Sequence, residues 1–516
     1  MSAQPLTEAA VSLRALLRDE YALPARYERS LAHMQLDSRR VRQGDLFIAC
    51  RGGSQDGRDF IAGAIAGGAA AVLVEAGTGW DSVREDGKVP LIPIADLPRK
   101  LARMAARFYG EPARLLRLIG VTGTNGKTTC SLLLARALQR LGYCCGVIGT
   151  LGHGLVEAPF AQDDDGPATT PDAVQLQRIL HELQVGGGDT VVMEVSSHGL
   201  DQGRIDVDDI GIALFTNLSR DHLDYHGSME SYGQAKRRLF TGTRLRHALL
   251  NLDDPFSADI RAALPSHTQV LGWSLHDPAA DLFASHDTTA SGLRLQIRSP
   301  WGDGELRSPL LGSFNASNLL GILAAALVCE AEQGRPDLDT CLQAVGALAP
   351  VPGRMQYLGG YDVAVVIDYA HTPDGLRSAL QAAREHFSGE LICLFGCGGD
   401  RDRGKRPQMA QVAEALADRI VVTDDNPRFE DSAAIIAQIL AGFTAPERVS
   451  VIADRAQAIA QTLQQAPAGA VILIAVKGHE AYQDIRGVRQ PFSDQTAARA
   501  GLQRRFGAGQ SLGGRA

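Results

Sequence analysis

A glycine-rich turn between a strand pattern and a helix pattern constrains the fold of this chain more than any other feature. The apolar segment LLRLIG ends at Gly120, the turn VTGTNG follows, and KTT opens the helix pattern SLLLARALQRLG. The usual phosphate loop is G-x-x-x-x-G-K-[ST]. Here the spacing from Gly120 to Gly126 is one residue longer, and Val121 occupies the strict first-glycine position. The strand and helix context nevertheless predicts a phosphate-binding loop.

The turn has the chemistry of a nucleotide site. Backbone N–H groups at a turn and helix start can hold anionic oxygens, a lysine can reach terminal phosphates, and a threonine hydroxyl can ligate magnesium. The alternative is a solvated lysine on an ordinary glycine-rich turn, and the flanking elements disfavour it. We therefore predict a nucleoside triphosphate site with Mg²⁺, formed by Gly123, Thr124, Asn125, Gly126, Lys127, Thr128 and Thr129.

Length and periodicity indicate several domains. At roughly 150 residues per domain, 516 residues should form about three. Strand and helix patterns alternate through most of the chain, and the cluster PVPG, which starts at Pro350, is the best linker signal. We predict an α/β protein with a small α/β domain over residues 1–103, a central domain with a mostly parallel sheet over 104–349, and a second α/β domain over 350–516.

Composition excludes several classes of protein. The chain has 59 acidic and 51 basic residues, and this net charge of −8 argues against binding driven mainly by a nucleic-acid backbone. The longest apolar run, Leu319 to Cys329, is too short to span a bilayer, and the N-terminus lacks the apolar core of a signal peptide. We predict a soluble cytoplasmic protein that neither binds nucleic acid nor inserts into membranes.

Polar residues beyond the turn are candidates for the same site. Glu194 ends the strand pattern DTVVMEV, where a nucleotide-binding protein needs a carboxylate for the metal. An isolated glutamate at such a position is more often a surface or helix-capping residue. Here its pairing with the glycine-rich turn favours a role as a metal ligand. His198 and His222 are possible ligands or phosphate partners, although each alone is more often structural. The residues alone do not separate Lys236 from the two arginines that follow it.

The chain resembles the Mur ligase family, the ATP-dependent enzymes that form amide bonds in peptidoglycan precursor synthesis. The motifs GVTGTNGKTT, MEVSSHGL, TNLSRDHLDYHGSMESYGQAKRRLF, LLGSFNASNLL, PVPGRMQ, DYAHTPDGL, GCGGDRDRGKRP, DDNPR and KGHE occur in family order over essentially the whole chain. The resemblance implies an N-terminal UDP-binding domain, a central P-loop ATPase and a C-terminal Rossmann-like domain that receives an amino acid. It also implies a monomer.

The resemblance assigns binding residues by position. For the uridine nucleotide they are Leu36, Ser38, Gly53, Ser54 and Gln55. For the muramoyl-peptide they are Thr169, Thr170, Ser196, Gln202 and Arg204. Asn315, Arg354 and Asp368 match the contacts to the adenine, phosphate and ribose of ATP.

The resemblance also gives Lys236 a chemical role, because it matches a lysine that is carbamylated in relatives. Carbamylation replaces a cation that repels magnesium with a carboxylate that ligates it. Thr128 would then hold one metal ion, and Lys236, Glu194 and His222 would hold a second. Lys127 would stabilise the charge on the transferred phosphoryl group.

The form of the DDNPR motif is the one associated with addition of meso-diaminopimelate to UDP-N-acetylmuramoyl-L-alanyl-D-glutamate. Arg428 offers a bidentate fork for the distal carboxylate, Arg401 a second contact, and Glu480 a partner for the distal ammonium. The alternative is an ordinary Asn-Pro turn, but the position of the DDNPR motif after a strand favours substrate binding. The remaining residues expected at this substrate are Asp425, Asn426, Pro427 and Val476.

Two positions depart from the family pattern. Ala168 stands where an asparagine is often found, so one substrate hydrogen bond would be absent or moved. Val476 stands where relatives carry glycine, and a backbone contact there requires a φ that a β-branched side chain tolerates.

Other functions fit the sequence less well. A lysine-adding Mur ligase is the closest rival, and folylpolyglutamate synthase and cyanophycin synthetase share the ATPase core, but DSRRVRQGDLF and DNPR fit neither synthetase well. A P-loop switch or transport ATPase would need no amino-acid pocket. A dinucleotide oxidoreductase would need GxGxxG, and FGCGGDRD lacks the third spacing.

Overall fold

The computed structural model describes residues 11–52, 55–77, 79–158, 160–161, 169–289, 291–359 and 361–507. Each third of the chain builds its own sheet with helices packed on it. The prediction of an α/β fold is therefore confirmed.

The N-terminal third forms a small mixed sheet in the order β3-β4-β5-β7-β6, beside a short β1–β2 ladder. Its strands are β1 (Val11–Ser12), β2 (Ser30–Leu31), β3 (Met34–Gln35), β4 (Leu46–Ala49), β5 (Ala71–Glu75), β6 (Arg84–Asp86) and β7 (Val89–Ile94). Its helices are α1 (Leu13–Leu16), α2 (Ile61–Ala66) and α3 (Leu97–Phe108). Helix α3 spans the predicted boundary at residue 103 and packs its apolar face into the N-terminal core. The boundary itself stays a prediction.

The central third forms a long sheet in the order β10-β9-β11-β8-β12-β13-β14-β15-β16-β17. Its strands are β8 (Arg117–Thr122), β9 (Cys145–Gly149), β10 (Gly152–Leu155), β11 (Thr190–Glu194), β12 (Ile212–Phe215), β13 (His247–Asn251), β14 (Gln269–Ser274), β15 (Leu282–Thr289), β16 (Gly292–Ser299) and β17 (Gly302–Ser308). The pairs from β9 to β15 are parallel, whereas β10, β16 and β17 pair antiparallel.

Helices cover both faces of this sheet. They are α4 (Lys127–Arg140), α5 (Ala173–Val185), α6 (Ser197–Asp201), α7 (Leu223–His226), α8 (Met229–Arg237), α9 (Phe256–Ala262), α10 (Ser313–Glu332) and α11 (Leu338–Gly346). Helix α10 is long and apolar enough to cross a membrane by length and composition, but 83% of its apolar window is buried inside the protein. It packs on α4 and on the sheet, so its all-round hydrophobicity is that of a core helix.

The C-terminal third forms a second mostly parallel sheet in the order β18-β19-β23-β20-β21-β22, with a separate β24–β25 hairpin. Its strands are β18 (Gln356–Leu358), β19 (Ala364–Asp368), β20 (Leu391–Phe395), β21 (Arg419–Val422), β22 (Ser450–Val451), β23 (Val471–Ala475), β24 (Tyr482–Ile485) and β25 (Val488–Pro491). Its helices are α12 (Pro373–His386), α13 (Lys405–Leu416), α14 (Ser432–Leu440), α15 (Arg455–Gln465) and α16 (Asp494–Phe506).

Strand register decides which loops meet. In the central sheet Glu194 pairs with Val121, and Phe215 pairs with Thr122, so the loops after β8, β11 and β12 leave the same carboxyl edge. In the C-terminal sheet Asp368 pairs with Ala475, which aligns the ends of β19 and β23. Open α/β sheets bind ligands at such edges.

Candidate active site

A cavity of about 930 Å³ lies where the carboxyl edges of the central and C-terminal sheets face each other. Its walls come from the loop after β8, from the segment after β12, and from the loops that follow β19, β20, β21 and β23. The cavity is large enough for a nucleotide and a second substrate group. The lining includes the predicted residues Thr124, Asn125, Gly126, Lys127, Thr128, Thr129, Thr169, Glu194, His222, Asn315, Arg354, Asp368, Arg401, Asp425, Asn426, Arg428, Val476 and Glu480.

The glycine-rich turn has the backbone that a phosphate loop requires. Gly123 and Gly126 have φ angles of +151° and +88°, which L side chains rarely adopt. A Cβ at Gly123 would also overlap the hydroxyl of Thr216. The Nζ of Lys127 donates to the carbonyl oxygens of Gly123 and Thr124 at 2.9 Å each, so the lysine is held over its own loop.

The carboxylate of Glu194 lies beside the first turn of α4. The hydroxyl of Thr128 donates to it at 2.9 Å, and the backbone N–H of Thr150 donates to it at 2.8 Å. Burial raises the pKa of Glu194. A buried carboxylate next to a threonine hydroxyl supplies the hard oxygen donors that Mg²⁺ prefers, so these residues fit the predicted metal.

Lys236 lies on α8 and is fully buried against the same loop. Its Nζ donates to the carbonyl of Gly123 at 2.7 Å and lies 4.3 Å from the ring centre of Tyr232. The hydroxyl of Tyr232 in turn contacts the hydroxyl of Thr124 at 3.2 Å. Burial, and next the charge of Lys127, lower the pKa of Lys236 well below its ordinary value. The structure thus brings Lys236 to the loop, although its side chain does not line the described cavity.

The two predicted histidines lie together at the mouth of the cleft. The rings of His198 and His222 are 4.8 Å apart, and the Nε2 of His222 is 3.4 Å from the carboxylate of Asp221. Burial lowers the pKa of His222, and burial together with His222 lowers the pKa of His198 to about 4. Within the described residues, no three His, Cys, Asp or Glu side chains form a group that could hold a metal ion alone.

The residues predicted for ATP come from both sides of the cleft. Arg354 lies above the ring of Tyr369 at 4.5 Å, and its Nη2 is 3.4 Å from the hydroxyl of Thr128. Among the described residues, its buried Nε has no hydrogen-bond partner. Asp368 accepts the backbone N–H of Met355 at 2.7 Å, and burial raises its pKa to about 6. Asn315 is buried at the start of α10 and donates to Leu311 O at 2.7 Å.

The residues predicted for the muramoyl-peptide form one connected group behind Glu194. Thr170 donates to the carbonyl of Glu194 at 3.0 Å and accepts the N–H of Ser196 at 3.0 Å. Arg204 donates to Thr170 O at 2.8 Å and to Gln202 Oε1 at 2.9 Å. The hydroxyl of Thr169 reaches that of Thr150 at 3.2 Å, at the edge of the cleft.

Of the predicted uridine-nucleotide residues, those that the structure describes are Leu36, Ser38 and Gln55, and they do not line the cavity. Leu36 packs on the N-terminal core, Ser38 begins a short 3₁₀ turn, and Gln55 accepts the N–H of Gly52. Gly53 and Ser54 lie outside the described residues, and so does Ala168. The structure therefore places Leu36, Ser38 and Gln55 in the N-terminal third and away from the phosphate loop.

The DNPR segment turns sharply beside the end of β20. Arg428 has a φ of +52°, and its Nη1 donates to Gly399 O at 2.6 Å. Pro427 lies between Arg428 and Asn426, and a Cβ on Gly399 would overlap its carbonyl oxygen. Arg401 is exposed on the facing loop. The two predicted arginines thus come from neighbouring loops of one sheet edge.

A buried lysine that sequence reasoning missed organises the KGHE segment. Lys477 donates to Asn426 Oδ1 and to Glu480 Oε2 at 2.9 Å each, and lies 3.6 Å from Asp425 Oδ1. Asn426 also donates to Glu480 Oε2, at 2.8 Å. Asp425, Asn426 and Glu480 therefore form one network around the side-chain amine of Lys477.

Val476 adopts the backbone conformation that a glycine would favour. Its φ is +92°, although its β-branched side chain is buried in the C-terminal core. Its N–H donates to Asp368 O at 3.0 Å. The β-branched side chain at this position is therefore accommodated with backbone strain.

Two further buried arginines were not predicted as site residues. Arg406 donates to Glu430 and to Gly398 O, and Arg455 forms a buried pair with Asp494 with both contacts at 2.7 Å. Arg406 lies in the motif GCGGDRDRGKRP, and its place there could have indicated a site residue. Arg455 lies in an ordinary amphipathic helix pattern, which gives no such indication.

Comparison with known proteins identifies the family of this chain. Family models match residues 30–109 (Mur ligase family, catalytic domain), 121–326 (Mur ligase middle domain) and 353–478 (Mur ligase, glutamate ligase domain). The chain is 52% identical over 477 residues to a protein of Ectopseudomonas mendocina named UDP-N-acetylmuramoyl-L-alanyl-D-glutamate--2,6-diaminopimelate ligase, with 92% of this chain and 95% of the relative covered. A Coxiella burnetii protein of the same name is 45% identical over 91% of this chain and 95% of the relative.

Solved structures agree as well. One titled as a structure of UDP-N-acetylmuramoyl-L-alanyl-D-glutamate--2,6-diaminopimelate ligase is similar to this chain with a TM-score of 0.68 and 38% identity, covering 96% of this chain and 99% of that one. Mycobacterium tuberculosis folylpolyglutamate synthase shares the fold at a TM-score of 0.60 and 20% identity over 73% and 92% of the two chains. From its motifs, its fold and its relatives, this chain belongs to the Mur ligase family.

Proposed function

We propose that this chain is an ATP-dependent ligase that adds meso-diaminopimelate to UDP-N-acetylmuramoyl-L-alanyl-D-glutamate. The observation that carries the proposal is the single cleft that joins the phosphate loop to the DNPR loop, with Lys127 and Arg428 in its lining. Relatives with that activity in their name are 45–52% identical to this chain, which supports the same substrates.

The nucleotide end of the cleft would bind ATP. The N–H groups of the turn and the amine of Lys127 face the phosphates, and Arg354 reaches the same place from the C-terminal side. Asn315 and Asp368 would hold the adenine and the ribose. When bound at Thr128 and Glu194, Mg²⁺ supplies charge neutralisation for the phosphates.

Lys236 would act as a carbamate. Formation of a carbamate joins the lone pair of a neutral amine to the carbon of CO₂ and releases one proton. The lowered pKa of the buried Lys236 favours that neutral amine. The product would carry a carboxylate on the side of His222, and with Glu194 and His222 it would provide the oxygen and nitrogen donors of a second metal site. Incubation with ¹³C-bicarbonate should give a carbamate ¹³C signal that Lys236→Ala lacks.

The reaction requires activation of a carboxylate, because joining it to an amine in water is uphill. The D-glutamyl side-chain carboxylate attacks the γ-phosphorus of ATP, which forms an acyl phosphate and expels ADP. The amine of diaminopimelate then attacks the acyl carbon, and the tetrahedral intermediate expels inorganic phosphate that retains one carboxylate oxygen. The protein positions the groups and stabilises charge, and no enzyme nucleophile takes part.

The amino acid would bind at the C-terminal sheet edge. Arg428 and Arg401 would hold the distal carboxylate that lysine lacks, and Glu480 the distal ammonium. The network around Asp425, Asn426 and Glu480 would orient the same end of the molecule. The strained turn at Val476 would present backbone groups to it.

The remaining substrate is UDP-muramoyl-dipeptide, which would contact both the N-terminal and the central domain. Leu36, Ser38 and Gln55 of the N-terminal domain would bind the uridine nucleotide, while Thr169, Ser196 and Arg204 would contact the peptide. We further propose that the enzyme is cytoplasmic and monomeric. Gel filtration with light scattering tests the monomeric state directly.

The test of the proposal is ADP release with substrates omitted in turn. The expected result is turnover only when UDP-muramoyl-dipeptide and diaminopimelate are both present. ADP release with ATP alone would instead indicate a switch or transport ATPase. With dipeptide labelled by ¹⁸O in the D-glutamyl carboxylate, one ¹⁸O should appear in the phosphate, whereas unlabelled phosphate would exclude the acyl phosphate.

A further inference from the structure

Arg406 is a fully buried charged side chain near the start of α13. Its Nη2 donates to Gly398 O at 3.0 Å and to Glu430 Oε1 at 2.9 Å. Its Nη1 donates to Glu430 Oε2 at 3.1 Å and to Gln438 Oε1 at 2.7 Å. One guanidinium therefore joins the loop 398–404, which follows β20, to the loop 425–430, which follows β21.

Glu430 repeats this linkage from the other side. Its carboxylate accepts the N–H of Asp400 at 2.6 Å and lies 3.2 Å from the guanidinium of Arg403. Hydrogen bonds, above all from Arg406, lower the pKa of Glu430 to about 2, so the pair stays charged near neutral pH. The Glu430 carboxylate thus links its own loop, 425–430, to the loop 398–404 and to α13.

The two loops carry the arginines proposed for the distal carboxylate, Arg401 on one and Arg428 on the other. They are further joined by Gly399 N–H to Asn426 O at 2.9 Å and by Phe429 N–H to the carboxylate of Asp400 at 3.1 Å. Neither Arg406 nor Glu430 lines the described cavity. The ion pair therefore lies behind the site and reaches substrate only through the two loops.

We propose that the Arg406–Glu430 ion pair is a positioning element for amino-acid selection, which fixes the spacing between Arg401 and Arg428. The inference rests on the proposed function. Two guanidinium groups hold one carboxylate only if both reach it in the right geometry, and an error near 1 Å costs about 100-fold in rate. Loops after strands have no such rigidity of their own, and a buried bidentate pair provides it.

A purely structural role would affect stability and all substrates alike, so the test compares substrates. Glu430→Gln keeps the shape of the side chain and removes its charge. We expect kcat/KM for diaminopimelate to fall about 10- to 100-fold, and the preference for diaminopimelate over lysine to fall with it. The KM values for ATP and UDP-muramoyl-dipeptide should change by less than about 3-fold, since their sites lie on other loops.

Two further variants keep the test decisive. Gln438→Ala removes one acceptor of Arg406 without touching Glu430, and it should shift the same preference by about 3-fold, because Arg406 keeps its bonds to Glu430 and Gly398. This variant decides the question if Glu430→Gln does not fold. Leu463→Ala is the control, because Leu463 is buried on the opposite face of the C-terminal sheet. It should lower the melting temperature and leave the amino-acid preference unchanged.

The possible failures are distinguishable. Wild-type enzyme without diaminopimelate-dependent turnover would refute the proposed function and with it this inference. A wild type that prefers diaminopimelate, with folded variants that keep the wild-type preference or raise all three KM values equally, would overturn the inference alone.

Discussion

The side-chain amines of Lys236 and Lys127 donate to the same carbonyl oxygen, that of Gly123, at 2.7 and 2.9 Å. Two ammonium groups at one buried oxygen repel each other, and the more deeply buried Lys236 is the one whose pKa falls furthest. The lowered pKa of Lys236 favours the neutral amine that the proposed carbamate requires.

Replacement of Lys236 by alanine should therefore remove a carboxylate rather than a positive charge. We expect Lys236→Ala to lose at least about 100-fold in kcat, and to regain part of it when acetate or formate is added to the buffer. Arg237→Ala, one residue further along α8, is the matched control and should keep wild-type turnover. Full activity of Lys236→Ala, with no response to carboxylate, would contradict the carbamate.

Arg428 should matter for one substrate only. An unpaired ligand carboxylate costs about 2–5 kcal/mol, so Arg428→Ala should lower kcat/KM for diaminopimelate by roughly 30- to 1,000-fold or more. The ATP affinity should stay within about 3-fold of wild type, since Arg428 lies on a separate loop. Arg448→Ala is the control, because Arg448 is exposed before β22 at the amino edge of the same sheet. Wild-type kinetics with diaminopimelate would remove the assignment of Arg428.

The positive φ of Val476 predicts an unusual response to glycine. At an ordinary buried valine such as Val422, replacement by glycine loses about 1.5–3 kcal/mol of burial and adds about 0.5–1 kcal/mol of chain entropy. At Val476 the release of about 1–3 kcal/mol of backbone strain offsets that loss. Calorimetry should show a smaller fall in melting temperature for Val476→Gly than for Val422→Gly. Equal falls would show that Val476 is not strained.

Buried histidines predict a loss of stability in mild acid. Burial, with Lys405 for His371 and Arg354 for His479, lowers both pKa values from 6.5 to about 4. Between these pH values the unfolded chain binds more protons than the folded chain, so the free energy of unfolding falls as the pH is lowered. His479→Gln should weaken the dependence of melting temperature on pH in this window. An unchanged dependence would show that His479 contributes nothing to it.

Much of the site could be predicted because parallel strands end at one edge. The pattern at Glu194 and the turn at Gly123 indicated such ends, and the strand order placed β11 and β12 on either side of β8. In the same way, Asp368, Arg428 and Glu480 lie at or after the ends of strands in the C-terminal sheet, which forms the facing edge. The role of each of these residues stays a prediction, whereas the α/β fold and the family are confirmed.

The remaining features depend on contacts between distant parts of the chain. Lys477, Arg406 and Arg455 are charged, and hydropathy assigns such residues to the surface, but carboxylates and carbonyls from other elements let them be buried. The antiparallel extension β15–β17 depends on pairing within the folded sheet. The left-handed conformation of Val476 has no local signal either, because valine disfavours it.

We propose that the two facing sheet edges join diaminopimelate, and not lysine or ornithine, to the muramoyl-dipeptide. This proposal is tested most directly by a competition in which ATP, UDP-muramoyl-dipeptide and equal concentrations of meso-diaminopimelate, lysine and ornithine are offered together, with the nucleotide products identified by mass spectrometry. We expect a product that carries diaminopimelate almost exclusively. A product that carries mainly lysine or ornithine would contradict it.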